Sequence, residues 1–271
     1  AKACQLLIPL GTVALRTNLL AAAVGAWTVT AVSLAARELG LGAGPNEGEV
    51  GDARRPTSFL SDPWADRLLI LSSVFAALVL AAAPDLWQHA IHANAHIVST
   101  ALTATHLWFL TRWWRTGRDG WLFAFAAALG LAATHHPITL MGVPAYGLFI
   151  LAVRPRFLLE WRTLLPLVGS LVVGLSPLLY YPLRSPGVPF GPTDMNTWEG
   201  FLRHVTARGL RGNLFHFGLA DQPDRVLVFW SLLRLQFMLP VILLMPLGLL
   251  ALVRRAAAPA LLIGTFLLGH L

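Results

Sequence analysis

Four side chains that can exchange protons follow Pro84 at helical spacing. They are Asp85, His89, His92 and His96. At 100° per residue, these positions fall within roughly 60° of one another on a helix. Imidazole and carboxylate groups act as general acids and bases, and imidazole is also a common metal ligand. The spacing therefore predicts one polar stripe along a single helix that begins at Pro84, where a missing N–H is no loss.

This stripe has three interpretations, and the sequence leaves them open. The side chains could form hydrogen bonds between helices, or they could line a water-filled cavity that holds a substrate. His89, His92 and His96 could also bind a divalent metal, because imidazoles at these spacings share a face. No cysteine or glutamate accompanies them. We therefore expect no cofactor and keep the metal as a lesser alternative.

Two further groups of residues could meet a phosphate. In His135-His136-Pro137, one imidazole is expected to bond to carbonyls that Pro137 leaves free, and the other could contact a phosphate or transfer a proton. Further along, Thr197 has the character of an N-cap for a short helix. That helix has an apolar face of Trp198, Phe201, Leu202 and Val205 and a basic face that includes His204, Arg208 and Arg211. It is typical of a helix in the membrane interface, whose basic face meets lipid headgroups or binds a lipid phosphate.

The elements that must hold these residues are membrane spans. The chain is 56% hydrophobic and 12% charged, about half the usual share of charge in a soluble protein. Arginines follow every second apolar run, the pattern of cytoplasmic loops in a multi-pass protein. We predict an all-α, polytopic transmembrane bundle of about eight spans. They lie near 18–36, 68–83, 91–111, 121–134, 138–153, 164–183, 227–253 and from 258 onward.

The arginine pattern also predicts orientation and domain organisation. Residues 1–271 form a single transmembrane domain, with a cytoplasmic loop at 37–67 and an outer loop at 184–226 that carries the interfacial helix. The outer side then collects the polar residues described above. The net charge of +7 lies beside apolar spans, where it anchors to anionic headgroups, so we expect membrane lipids and not nucleic acid as its partner. Tryptophans near span ends, Trp113 and Trp114 among them, indicate an interfacial belt.

Arg234 differs from the other arginines because it falls inside a predicted span. A charged side chain in the membrane is costly and needs a partner. The guanidinium could extend to the outer surface along its own apolar stem. Alternatively, it could pair with an acid or with a lipid-linked phosphate.

Several short motifs, taken in order, resemble a known family. They are residues 11–20, Trp87-Gln-His-Ala-Ile, Thr134-His-His-Pro, residues 180–185, residues 196–206 and Leu214-Phe215. This run is similar to the membrane core of the membrane protein O-mannosyltransferase-like family, formerly of unknown function. It thereby also resembles the GT-C class of lipid-donor glycosyltransferases. The resemblance covers most of residues 5–225.

The resemblance implies a GT-C-like fold and an integral-membrane glycosyltransferase. A sugar, with mannose as the first candidate, would pass from a polyprenyl-phosphate donor to an acceptor protein, lipid or glycan. We expect a bacterial inner-membrane protein whose active side faces outward. The chemistry needs a carboxylate base and cations on the leaving phosphate. The candidate substrate-binding residues are Arg184, His135, His136, Arg203, His204, Arg208, Arg211, Arg234, Trp87, His89, His92 and His96.

The catalytic carboxylate is the weakest point of this assignment. In the family, an acidic residue usually precedes the motif at residues 11–20, so its counterpart is expected upstream of Ala1. The chain begins without Met and stops inside an apolar run, from which we expect a fragment. Asp85 and Asp194 are the acids of the outer side that remain as candidates. A glutamate of the family pattern is replaced by Asn94.

Two rival functions remain open at the level of sequence. A flippase or transporter of lipid-linked sugar could use the polar stripe as its substrate path, although no inverted repeat is visible. A non-catalytic membrane homologue is the other alternative, and Asn94 favours it.

Overall fold

The computed structural model describes residues 11–42, 63–92, 94–187, 194–206 and 218–270, and the regular structure in these ranges is helical. This confirms the predicted all-α class. In chain order the α-helices are α1 (Val13–Leu41), α2 (Pro63–Ala81), α3 (Pro84–Ala90), α4 (Ala95–Thr116), α5 (Asp119–His135), α6 (Val143–Val153), α7 (Trp161–Leu175), α8 (Tyr180–Arg184), α9 (Trp198–Val205), α10 (Gln222–Gln236), α11 (Leu239–Arg255) and α12 (Ala257–His270). Short 3₁₀ turns join α5 to α6 and α7 to α8.

Three helical stretches among the described residues are long and apolar enough to cross a membrane. They are Val13–Leu41, Trp64–Ala81 and Trp161–Gly187, which includes α7 and α8. The pair α10 and α11 counts as a fourth if its 117° bend lies within one span. A helical membrane bundle is therefore supported, while the other predicted spans are shorter or less apolar than this criterion requires.

The helix α4 lies at the centre of the bundle and packs against α1 and α5. Its buried side chains include Ser99, Thr105, His106 and Thr111. Thr105 accepts a hydrogen bond of 2.9 Å from the indole Nε1 of Trp27 in α1. Because protein and not lipid surrounds α4, it tolerates polar residues that lower its mean hydropathy.

An aromatic core joins α4, α5 and α6. Trp113, Trp114, Phe125, Tyr146 and Phe149 are at most 4% exposed. Trp113 and Trp114 therefore pack inside the bundle, and the prediction that they belong to an interfacial belt is wrong. Their position next to apolar residues of three helices stabilises the bundle by the burial of large rings.

Three predicted helices have different bounds in the structure. The helix that begins at Pro84 ends at Ala90, because Asn94 is extended (φ −141°, ψ 152°) and caps a new helix. The predicted span 227–253 breaks at Phe237, which is extended, and Pro240 lies in the first turn of the next helix. The predicted span 138–153 starts as a 3₁₀ turn, and its α-helix begins only at Val143.

The helices of the bundle run in alternating directions, which gives the bundle two distinct ends. Asp119 lies next to Thr163, and Gly130 packs on Gly174, so α5 and α7 run the same way. The histidine end is the end that carries Asp85, His89, His96, His135 and His136. The ion-pair end is the opposite one, with Glu38, Arg112, Arg115, Asp119, Arg154 and Glu160. The 17 residues of α5 separate them by about 25 Å.

Candidate functional site at the histidine end

Three imidazole rings form a row where α3, α4 and α5 meet. The ring of His89 lies 5.4 Å from that of His96, and His96 lies 5.6 Å from His136, measured between ring centroids. Asp85 adds a carboxylate, whose Oδ1 is 3.5 Å from Nε2 of His89. The helix predicted to carry Asp85, His89 and His96 is split into α3 and α4. The row is formed instead by His89 of α3, His96 of α4 and His136 at the end of α5.

Asn94 connects two members of this row. Its Oδ1 accepts a hydrogen bond of 2.5 Å from the backbone N–H of His96, which caps α4. Its side-chain amide donates to Nδ1 of His89. With Nδ1 as acceptor, the proton of neutral His89 is assigned to Nε2, which faces Asp85. Asn94 therefore fixes both the helix start and the tautomer of the histidine beside the carboxylate.

The other histidines of this end bond to the backbone. Nε2 of His135 donates to the carbonyl of Ala95 at 3.0 Å, so it ties α5 to α4. Nδ1 of His136 accepts from the N–H of Ile138 at 3.2 Å. His92 is exposed and donates to the carbonyl of Gln88 within its own segment. The predicted stripe of four thus keeps Asp85, His89 and His96 together, and His92 bonds elsewhere.

The lesser alternative, a metal site, finds no support in this geometry. Within the described ranges, no three His, Cys, Asp or Glu side chains are grouped so that they could hold a metal ion. The imidazole rings lie near one another at tilted angles of 52°, and nitrogens of His89, His135 and His136 bond to Asp85, Asn94 and the backbone. Trp87 lies on α3 and is 61% exposed, so its ring is available for contact with lipid or a ligand.

A second polar group lies around α8 and α9. Ser185 is buried and accepts a hydrogen bond of 3.1 Å from the N–H of Met195. Thr197 caps α9, as predicted, by accepting from the N–H of Gly200 at 3.1 Å. The ring of His204 packs on Tyr181 with centroids 4.6 Å apart. These contacts hold the short helix α9 against α8.

The cations of this region differ in how they are paired. Arg203 forms ion pairs with Asp194 at 3.4 Å and with Glu199 at 3.1 Å. Arg184, at the end of α8, is exposed and has no ion pair with the described residues. The predicted Arg208 and Arg211 lie outside the described residues. Arg184 is thus a described cation that remains available, whereas Arg203 is already paired with Asp194 and Glu199.

The end of α10 reaches the start of α3. The side-chain Oε1 of Gln236 accepts a hydrogen bond of 2.9 Å from the backbone N–H of Asp85. Arg234 lies in the last turn of α10 and not in the middle of a continuous span. Two residues correspond to about 200° on a helix, so the exposed Arg234 points away from the face that Gln236 presents to α3.

Two residues of this site were not found by sequence reasoning. The family pattern marks Asn94 only as a lost carboxylate, although an Asn before a helical segment is a known signal for an N-cap. Gln236 bonds to a residue 151 positions away, and no local pattern predicts such a contact. Its role follows only from the bend that brings α10 to α3.

Comparisons with known proteins identify the family of this chain. Residues 1–158 match the family profile described as the protein O-mannosyl-transferase TMEM260 N-terminal domain. Searches of curated proteins and of solved structures found no match. Because the profile covers more than half of the 271 residues, the chain belongs to the TMEM260 N-terminal domain family.

Proposed function

We propose that this member of the TMEM260 N-terminal domain family transfers a sugar, with mannose as the first candidate, from a polyprenyl phosphate to a protein or glycan. The family description names protein O-mannosyl transfer, which supports a sugar donor and a protein acceptor. We propose a GT-C-like bundle of about eight crossings in a membrane such as the bacterial inner membrane. Its histidine end faces outward.

The observation that carries this proposal is the row of imidazoles together with the exposed cation Arg184 at one end of the bundle. The row of His89, His96 and His136 has the carboxylate of Asp85 beside it, and the exposed Arg184 forms no ion pair with the described residues. The stretch Trp161–Gly187 runs in the same direction as α5, which directs Arg184 to the side of the histidines. Cations and imidazoles near a membrane surface suit a lipid-linked phosphate.

Asp85 is the better of the two candidate bases. Its carboxylate is 61% exposed and has His89 beside it, so it can reach the hydroxyl of an acceptor. Asp194 forms an ion pair with Arg203, so we assign it a structural role and not that of the base. A carboxylate that removes the acceptor proton and cations that stabilise the leaving phosphate are the two requirements of the transfer.

The remaining candidates have supporting roles in this proposal. His135 and His136 hold α5 at the site, and His96 adds an imidazole to the phosphate-binding row. Arg184, Arg234 and the basic face with Arg203, His204, Arg208 and Arg211 provide cations for the donor phosphate. Trp87 and His92 are exposed beside the row, where they can contact the sugar or the acceptor.

The test is transfer of labelled sugar from a polyprenyl phosphate in proteoliposomes. Replacing Arg184 by Gln should lower turnover at least roughly tenfold, the effect of about 1.4 kcal/mol of lost transition-state stabilisation. Arg118→Gln is the matched control, because Arg118 is also exposed but lies directly before α5, at the ion-pair end. Equal effects of the two changes would refute the role of Arg184. Movement of lipid-linked sugar across the bilayer without transfer would establish the flippase instead.

A further inference from the structure

The start of α3 has an incomplete set of hydrogen bonds of its own. Helices leave their first N–H groups without partners inside the helix. In α3, Pro84 has no N–H and Ala83 at the cap position has no side chain that can accept one. The N–H of Trp87 already bonds to the carbonyl of Ala83. The amides of Asp85 and Leu86 are left, and the chain close to them offers no cap.

Gln236 supplies the missing acceptor from the far side of the bent pair. Its Oε1 lies 2.9 Å from the N–H of Asp85. Gln236 is the last residue of α10, and the backbone becomes extended at Phe237 before α11 begins. The 117° bend therefore sets the position of the side chain that caps α3.

The short helix α3 connects the Gln236 contact to the candidate site. The helix α3 carries both Asp85 and His89, and it is only 7 residues long, too short to be stable without outside contacts. Its last turn is held by the bond from Asn94 to His89. Its first turn is held by Gln236. These two amides fix the carboxylate and the imidazole relative to each other.

We propose that Gln236 is a positioning residue for the Asp85–His89 pair. By capping α3 from α10, it holds the carboxylate within reach of the imidazole and couples the bent pair to the site. The expected effect of Gln236 on turnover rests on the proposed function. Its expected effect on the position and accessibility of His89 does not.

The variants separate the accepting oxygen from the rest of the side chain. Gln236→Leu removes the acceptor, while Gln236→Glu keeps an oxygen that accepts the same N–H. Gln222→Leu is the matched control, because Gln222 begins the same helix and bonds to the carbonyl of Gly218, away from α3.

The first measurement is the rate at which diethyl pyrocarbonate modifies His89 in the membrane-embedded protein, followed by mass spectrometry. We expect Gln236→Leu to raise this rate roughly fivefold, the equilibrium equivalent of one hydrogen bond of about 1 kcal/mol. The rate at His204 should not change. Gln236→Glu and Gln222→Leu should both behave like the parent protein. An unchanged rate at His89 overturns the proposal, and so does a parallel rise at His204, which would indicate general loosening.

The second measurement is turnover with the polyprenyl-phosphate donor. Gln236→Leu should lower kcat by a similar factor and leave KM for the donor unchanged, and Gln236→Glu should restore kcat. A change confined to KM would overturn the positioning role. If the parent protein transfers no sugar, the proposed function fails, while the modification of His89 still decides the role of Gln236.

Discussion

The two ends of the bundle differ in how their charged groups are matched. At the ion-pair end, Glu38 is 2% exposed and forms ion pairs with both Arg112 and Arg115. Arg154 bridges Asp119 at 3.1 Å and Glu160 at 3.2 Å. At the histidine end, the cations Arg184 and Arg234 are exposed and have no ion pair within the described ranges.

Aromatic rings reinforce this difference. The guanidinium of Arg112 lies 5.2 Å from the ring centre of Trp121, and that of Arg154 lies 5.8 Å from Trp113. The indole Nε1 of Trp113 also donates to Asp119 at 3.1 Å. Arg112, Arg154 and Asp119 at the ion-pair end thus each have more than one protein partner, and both arginines also contact an aromatic ring. We infer that this end stabilises the bundle, and we propose that the exposed cations and the exposed Asp85 of the histidine end meet a ligand.

The largest expected effect concerns the side of the membrane that each end faces. In a Cys4→Ser background, single cysteines at Arg156 and Gly187 report on the two ends, because both positions are exposed. A reagent that cannot cross the membrane should label position 187 in intact cells and position 156 only after lysis. Arg115 and Asn213 belong to the same prediction, but Arg115 is engaged by Glu38 and Asn213 lies outside the described residues. Labelling of position 156 alone in intact cells would show that the orientation is the reverse of the predicted one. Equal labelling of both positions would contradict the prediction that the two ends face opposite sides of the membrane.

The next largest effect is on stability at the ion-pair end. Glu38→Gln leaves Arg112 and Arg115 without their carboxylate, and breaking such a buried pair costs about 3 kcal/mol. The thermal midpoint of the solubilised protein should fall by about 6–12 °C. Glu160→Gln is the control, because Glu160 is 37% exposed and bonds to one arginine. It should lower the midpoint much less. Equal losses would mean that burial of Glu38 does not distinguish this end.

Asp85 tests the histidine end in the complementary way. Asp85→Asn should lower kcat by about a hundredfold, the lower range for loss of a general base. The thermal midpoint should stay nearly constant, because this carboxylate is 61% exposed. Asp224→Asn is a close control, since Asp224 also follows a proline in the first turn of a helix and is exposed. A drop in stability that matches the drop in rate would assign Asp85 to structure.

Sequence patterns predicted the helical class, because it depends on local signals, and they singled out Asp85, His89 and His96 by their spacing. Apolar runs predict helices in a membrane, and Pro84 and Thr197 mark helix starts that the structure confirms. The breaks at Asn94 and Phe237 were missed, since the polar residues after Pro84 are spaced as on one continuous helix and apolar character continues through residues 227–253. Pairings such as Glu38 with Arg112 are 74 residues apart. Such contacts depend on how helices pack, and no periodicity within a segment encodes them.

The smallest expected effect separates the two roles of Asn94. Asn94→Ala removes the cap of α4, which should lower stability by about 1 kcal/mol. Asn94→Asp should restore stability, because a carboxylate caps a helix as well as an amide does. The carboxylate cannot donate to His89, however, so it would accept a hydrogen bond from Nδ1–H, and a neutral ring with its proton on Nδ1 has none on Nε2, which faces Asp85. We therefore expect Asn94→Asp to keep the thermal midpoint and to lose turnover.

Thr12→Ala provides the matched control for this last prediction, because Thr12 caps α1 through the N–H of Leu15 at 3.2 Å and does not bond to a histidine. It should lower the thermal midpoint and leave kcat unchanged. Comparing the three variants by thermal unfolding and by sugar transfer separates loss of a cap from loss of the tautomer. If Asn94→Asp retains full turnover, the proton on His89 plays no part in the reaction. The contrast between the two ends would then rest on Asp85 and the cations alone.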